Sequence, residues 1–212
     1  MKITWMGHSC FLLETEKGTK ILTDPYEPKS YAGAVGYGPL EVEPDIITVS
    51  HKHADHNYTQ PFLKAEIVDR AGKFTIADAE LEGIPTFHDD QQGAERGKNI
   101  IFIIRVDDLC VAHFGDLGTL DIDPSQLSTL DIALVPVGGT FTIGANEATE
   151  LTQKLNPQIV VPMHFKTPKL GFGIDWVEKF LKDKDYEKRE SLEVNLQNIH
   201  SFKRVVVLQY QR

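Results

Sequence analysis

Seven residues constrain this chain more than any others: Ser50-His51-Lys52-His53-Ala54-Asp55-His56, which follow directly on the β-branched run Ile46-Ile47-Thr48-Val49. The spacing is H-x-H-x-D-H. In extended chain, side chains two residues apart point to the same side, so His51 and His53 can share one metal ion while Asp55 and His56 in the following turn face a second. With the chain's histidines and aspartates placed at random, the pattern would arise on the order of once per thousand such sequences.

Metal ions need more donors than these, and three further candidates share one context, an apolar run that ends in a metal-binding side chain. They are His88 after 83–87, Asp116 after 110–115 and His164 after 159–163. Ligands at the same ends of neighbouring strands would converge on one sheet edge, where α/β sites commonly lie.

The runs at 3–5, 10–13, 21–23, 46–49, 100–106, 109–112, 132–135, 159–161 and 205–208 are strand-length and β-branched. Helices are expected between the later ones. Asp123-Pro124 reads as N-cap and first turn before Leu127 and Leu130; Ala148, Leu151 and Leu155 form a second helix stopped by Asn156-Pro157. Asp175 should cap a third, with Trp176, Val177, Phe180 and Leu181 on one face. Strands first and alternation later suggest an α/β sandwich of sheets covered by helices. The Gly, Pro and Tyr-rich stretch from Pro25 to Pro44 is a long candidate loop and a candidate lid.

At 212 residues and 41% hydrophobic composition, one domain spanning 1–212 is expected. Cys10 and Cys110 lie in apolar runs with no CxxC spacing and read as reduced core residues. The first residues lack signal-peptide design, so a cytoplasmic location is expected. A net charge of -9 gives no attraction to phosphate backbones. A small-molecule substrate is therefore the expected partner, with neither nucleic acid nor membrane; oligomeric state is not legible.

These motifs, together with Gly7-His8-Ser9, Thr23-Asp24-Pro25, His113-Phe114-Gly115-Asp116, Pro136-Val137-Gly138-Gly139 and Pro162-Met163-His164-Phe165, resemble the metallo-β-lactamase superfamily over nearly the whole chain. The resemblance is to the branch that contains L-ascorbate-6-phosphate lactonase and related uncharacterised metal-dependent hydrolases. It implies an αββα sandwich, two mixed sheets covered by helices. It also implies that His51, His53 and His88 hold one metal, that Asp55, His56 and His164 hold the other, and that Asp116 bridges them. Asp55 and Asp116 are then the catalytic carboxylates.

Around this set, His8 and His113 read either as groups that orient ligands or handle protons, or as structural hydrogen-bonding residues. Asp24 is either an orienting partner of a ligand or a capped turn before Pro25. Arg96 and Lys166 are candidate substrate donors for which solvated surface is the more ordinary reading. His200 is assigned to the surface.

Two such ions about 3.5 to 4 Å apart share a water, lower its pKa towards 7 and present a hydroxide to a carbonyl or phosphorus centre. A small, anionic ester, lactone or phosphodiester is the expected substrate class. Zn is favoured among metals, with Mn or Fe also suited to His and carboxylate donors. The alternative from another class is a non-catalytic metal-binding or ligand-sensing protein that keeps the fold.

Overall fold

Each of the nine apolar runs read as strands is a strand in the computed structural model, which describes residues 1–127 and 129–211. Two mixed sheets result. The first has the order β13-β1-β2-β3-β4-β5, from β1 (Lys2–Gly7), β2 (Cys10–Glu14), β3 (Lys20–Thr23), β4 (Ile46–Thr48), β5 (Glu66–Val68) and β13 (Leu192–Glu193). The second has the order β12-β14-β11-β10-β9-β8-β7-β6. Its strands are β6 (Gly72–Ile76), β7 (Ala79–Phe87), β8 (Lys98–Val106), β9 (Leu109–His113), β10 (Ile132–Pro136), β11 (Ile159–Met163), β12 (Tyr186–Arg189) and β14 (Val205–Leu208).

The centre of the second sheet is parallel, with Leu134 of β10 level with His113 of β9 and with Val161 of β11. Strands buried on both faces read as unbroken apolar runs, and β9, β10 and β11 are buried at every position. One cluster of buried side chains takes Ile3, Trp5 and Phe11 from the first sheet and Phe102, Leu134 and Val161 from the second.

Helical cover is sparse. The longest helix, Ala145–Leu155, buries Ala145, Ala148 and Leu151, and ends where Asn156 turns left-handed before Pro157. The helix expected after Asp123-Pro124 is a 3-10 turn, Pro124–Leu127, although Asp123 does accept the Ser125 N–H at 2.9 Å; residue 128 of that expected helix lies outside the described residues. The third is one turn, Glu178–Leu181, and Asp175 does not cap it. The Asp175 carbonyl accepts the Lys166 N–H and Trp176 bridges Lys166, which keeps this stretch extended. The Asp175 carboxylate instead meets Lys179 Nζ at 2.6 Å, and Trp176 is half exposed.

The candidate lid from Pro25 to Pro44 is tied to a neighbouring loop. Tyr26, Val35 and Tyr37 are buried, the Gly36 N–H donates to the Lys169 carbonyl at 2.7 Å, and the Gly171 N–H donates to that of Ala34 at 2.6 Å. Residues 34–36 of the segment are thereby joined to 169–171. Their backbone polar groups find partners on the neighbouring loop, the alternative to costly burial unpaired. No helix among the described residues is long and apolar enough to cross a membrane.

Candidate metal centre

Four strand ends deliver the site. β4 leads into Ser50–His56, β7 ends one residue before His88, β9 ends three before Asp116, and β11 ends directly before His164. β7 runs antiparallel to β8 and β8 to β9, so β7 and β9 finish on the same side of the sheet as their parallel neighbours. The sequence-level convergence is present at atomic distances. Asp116 Oδ2 lies 3.2 Å from His56 Nε2, 3.2 Å from His88 Nε2, 3.3 Å from His164 Nε2 and 3.9 Å from His51 Nε2.

Around that oxygen the donors fall into groups of three whose ligand atoms lie within 4.8 Å of one another: His51, His53 and His88 on one side, His8, His56 and His164 on the other, and Asp24, His51 and His56. The family resemblance implies that Asp55 joins His56 and His164. In the structure Asp55 Oδ2 lies 3.7 Å from His56 Nε2 and 3.1 Å from His8 Nε2. His8 thus stands beside this half of the site, holding Asp55.

Hydrogen bonds select the free nitrogens. Asp24 is fully buried, and its Oδ2 accepts His56 Nδ1–H at 2.9 Å and the Ser50 hydroxyl at 2.5 Å, while Oδ1 accepts the Ser50 N–H. Because the Ser50 hydroxyl donates to Asp24, its oxygen is left to accept His51 Nδ1–H at 2.9 Å. One carboxylate therefore directs two imidazoles, and Nε2 of both His51 and His56 is buried with no hydrogen-bond partner. Orienting groups of this kind fix the tautomer of metal-ligating histidines. Ser50 heads the motif segment in the sequence, but nothing there assigns it a role. Asn99 was also missed: its amide donates to the Phe114 carbonyl and its Oδ1 accepts the Asp116 N–H, both at 3.0 Å.

His113 faces away from this role. Its Nε2–H donates to the Ser9 carbonyl at 2.8 Å and its Nδ1 accepts the Gly115 N–H at 3.3 Å, which ties β9 to the first sheet. Lys166 Nζ donates to the Phe172 carbonyl at 2.8 Å. The Arg96 guanidinium sits 6.0 Å from the Phe141 ring centroid and 3.1 Å from Glu95. His200 is exposed.

The electrostatics suit a cation. Burial, helped by the charges of neighbouring histidines, lowers His8 to about 4 and His51 to about 3. Burial alone would raise the carboxyls, but His164 and His56 outweigh it at Asp116, and His56 and His8 outweigh it at Asp55, so both are held below the ordinary range. Burial would likewise lower His56, yet Asp116, Asp55 and Asp24 raise it well above 6.5. Seven buried polar atoms without a partner belong to His8, His51, Asp55, His56, His88, Asp116 and His164. Buried polar groups are normally satisfied; these orphans are Nδ1 of His8, His88 and His164, Nε2 of His51 and His56, and Oδ1 of Asp55 and Asp116, donor types that a divalent ion would take. The residues present therefore fit the metals that the sequence implied.

Glycines let the pieces close. A Cβ on Gly118 would stand 2.2 Å from the backbone carbon of His88, and one on Gly138 would stand 2.1 Å from the His164 carbonyl oxygen.

A family model described as the beta-lactamase superfamily domain matches residues 2–164. A protein of Methanoculleus marisnigri named UPF0173 metal-dependent hydrolase is 32% identical over 194 residues, covering 79% of this chain and 82% of its own. A protein of the same name from Methanosarcina mazei is 33% identical over 201 residues, covering 79% and 84%. Among solved structures, a candidate Zn-dependent hydrolase of the metallo-beta-lactamase superfamily from Thermotoga maritima is 37% identical, superimposes with a TM-score of 0.79 and covers 99% of both chains.

Proposed function

The chain belongs to the beta-lactamase superfamily as a metal-dependent hydrolase, and from that premise we propose that it holds two divalent ions and hydrolyses a small anionic ester, lactone or phosphodiester. The observation that carries the dinuclear reading is the position of Asp116 Oδ2, within 3.3 Å of Nε2 on His56, His88 and His164, so that one carboxylate reaches both groups of ligands. His51, His53 and His88 would hold one ion, and Asp55, His56 and His164 the other. Zn is the favoured metal, with Mn or Fe compatible with the donors.

When bound, such ions supply Lewis acidity and a nucleophilic hydroxide near neutral pH. The protein's own contribution is orientation. Asp24 holds His56 directly and His51 through Ser50, and His8 holds Asp55 by one carboxylate oxygen. Asp55 Oδ1 carries no hydrogen bond and is buried, which leaves it able to ligate or to orient water. In hydrolysis the bond between the acyl or phosphoryl centre and the leaving oxygen breaks; water supplies hydroxide to that centre and a proton to the leaving group.

The test is metal stoichiometry by mass spectrometry on protein purified without chelator, beside Asp116→Ala, followed by turnover of lactones and phosphodiesters. About two transition metals per chain, reduced in the variant, are expected. Absence of metal after reconstitution with Zn, Mn and Fe would overturn the reading.

A further inference from the structure

Beside the metal centre lies a run of aromatic rings that the ligand set does not use. The Phe172 ring stands 5.8 Å from His8, the Phe141 ring 5.9 Å from Phe172, and the Arg96 guanidinium 6.0 Å from Phe141. Tyr31 meets Phe172 edge-on at 5.5 Å. Tyr31 is 50% exposed and Phe141 37%. Large exposed apolar side chains scattered singly need no explanation, whereas contiguous ones mark binding surfaces. Trp176 and Tyr186, also exposed, have no ring partner among the described residues. The rings near the site are therefore a patch, and the patch adjoins the ligands.

The loops that carry the patch are tied to one another. Lys166 Nζ fixes the Phe172 carbonyl, and the Thr140 hydroxyl donates to the Gly173 carbonyl at 3.0 Å, joining the loops that carry Phe141 and Phe172. Asp89 accepts four backbone N–H groups, from Gln91, Gly93, Glu95 and Arg96, and so builds the loop that presents the guanidinium. Glu95 occupies one guanidinium nitrogen at 3.1 Å, in an exposed pair. A ligand anion would compete with Glu95 at the solvent edge, where such pairs are weak.

From this arrangement we infer a specificity subsite: Tyr31, Phe172 and Phe141 receive a flat apolar group of the substrate, and Arg96 receives an anionic group beyond it. The inference rests on the hydrolase reading for the position of the scissile bond, next to His8 and the ligands. It narrows the substrate class to aryl or arylalkyl esters and lactones that carry a carboxylate or phosphate. Aromatic pairing favours offset and edge-on rings, the geometry the exposed edges offer.

The experiment uses zinc-reconstituted protein and two readouts. One is kcat/KM for 4-carboxyphenyl acetate relative to ethyl acetate; the other is calorimetric binding of 4-phenylbutyrate relative to butyrate. Phe141→Ala and Phe172→Leu should each lower both ratios on the order of tenfold. Arg96→Gln should weaken 4-carboxyphenyl acetate but not phenyl acetate, and Tyr186→Ala, on strand β12, should change neither ratio. Ester turnover with ratios unchanged in the Phe141 and Phe172 variants would overturn the subsite and leave the hydrolase reading intact. Aryl-carboxylate binding that these variants lose, without turnover of any ester, would support the subsite and remove the hydrolase reading. Binding of 4-phenylbutyrate no tighter than butyrate by wild-type protein would overturn the subsite.

Discussion

Replacing Asp24 by Asn is the sharpest probe of how the site is wired. The backbone at Asp24 is left-handed, with φ of 40°, and Asn is among the residues that tolerate that region best, so the turn should survive. The carboxylate accepts three hydrogen bonds, from Ser50 N–H, the Ser50 hydroxyl and His56 Nδ1–H. An amide has one acceptor oxygen. With that oxygen facing Ser50 N–H, its NH2 points at two donors where Oδ2 stood. His56 must then carry its proton on Nε2, the atom that faces Asp116 at 3.2 Å, and His51 loses its relay through Ser50. Loss of one orienting partner costs about 10 to 100-fold in metal affinity. Because this one serves a ligand in each group, we expect about 100-fold overall, near 2.7 kcal/mol. Competition against a chromogenic chelator measures it, with circular dichroism to verify folding. Affinity within threefold of wild type in folded Asp24→Asn protein would refute the wiring.

Three further outcomes follow from the same geometry. Gly118→Ala places a methyl 2.2 Å from the His88 backbone and should lower stability by about 1 to 3 kcal/mol, read as a reduced urea midpoint; an unchanged midpoint would mean that the approach relaxes freely. Burial lowers His56, but Asp116, Asp55 and Asp24 raise it well above 6.5, which favours a proton on the ring in the absence of metal. Metal uptake should therefore release about one proton, so affinity rises with pH until the raised pKa is passed; calorimetry in buffers of different ionisation enthalpy that found no proton release would contradict this. Burial acts to raise Asp89, but backbone N–H donors from Arg96, Gly93, Gln91 and Glu95 win and lower it to about 2. A depressed carboxyl stabilises the folded loop above its unfolded pKa and ceases to as pH falls through the folded one. Hydrogen-exchange protection factors in residues 89–97 should fall between about pH 4 and pH 2, and Asp89→Asn should show the low protection at neutral pH.

What the sequence made legible divides along a physical line. Runs buried on both faces, such as Ile132–Pro136 and Ile159–Met163, announce themselves because every position is apolar. β7 alternates buried Leu81 with exposed Glu80 and contains Pro85, so only its apolar second half was visible, and β12 is polar throughout. The donors were legible because the chemistry requires those residue types, and four of them lie within one short motif. Ser50, Asn99 and the rings of Tyr31, Phe141 and Phe172 were not, since their roles arise from partners far away in sequence. Trp176 shows the limit of periodicity: it fell on the apolar face of an ideal helix, but a bridge to Lys166 holds it outside one.

His8, Asp24 and His164 all have left-handed backbone, with φ of 54°, 40° and 49°. That region disfavours residues with a side chain by about 1 to 2 kcal/mol each, and the cost is held in place locally, since the His8 carbonyl accepts both Trp5 Nε1–H at 2.9 Å and the His164 N–H at 3.3 Å. Glycine would relieve the backbone at each position, but at 24 it would orphan the three donors that Asp24 accepts. A population of variants propagated under heat selection alone, with no demand for metal or turnover, should thus drift to glycine at positions 8 and 164 while Asp24 is retained. Durability and chemistry pull the two histidines in opposite directions.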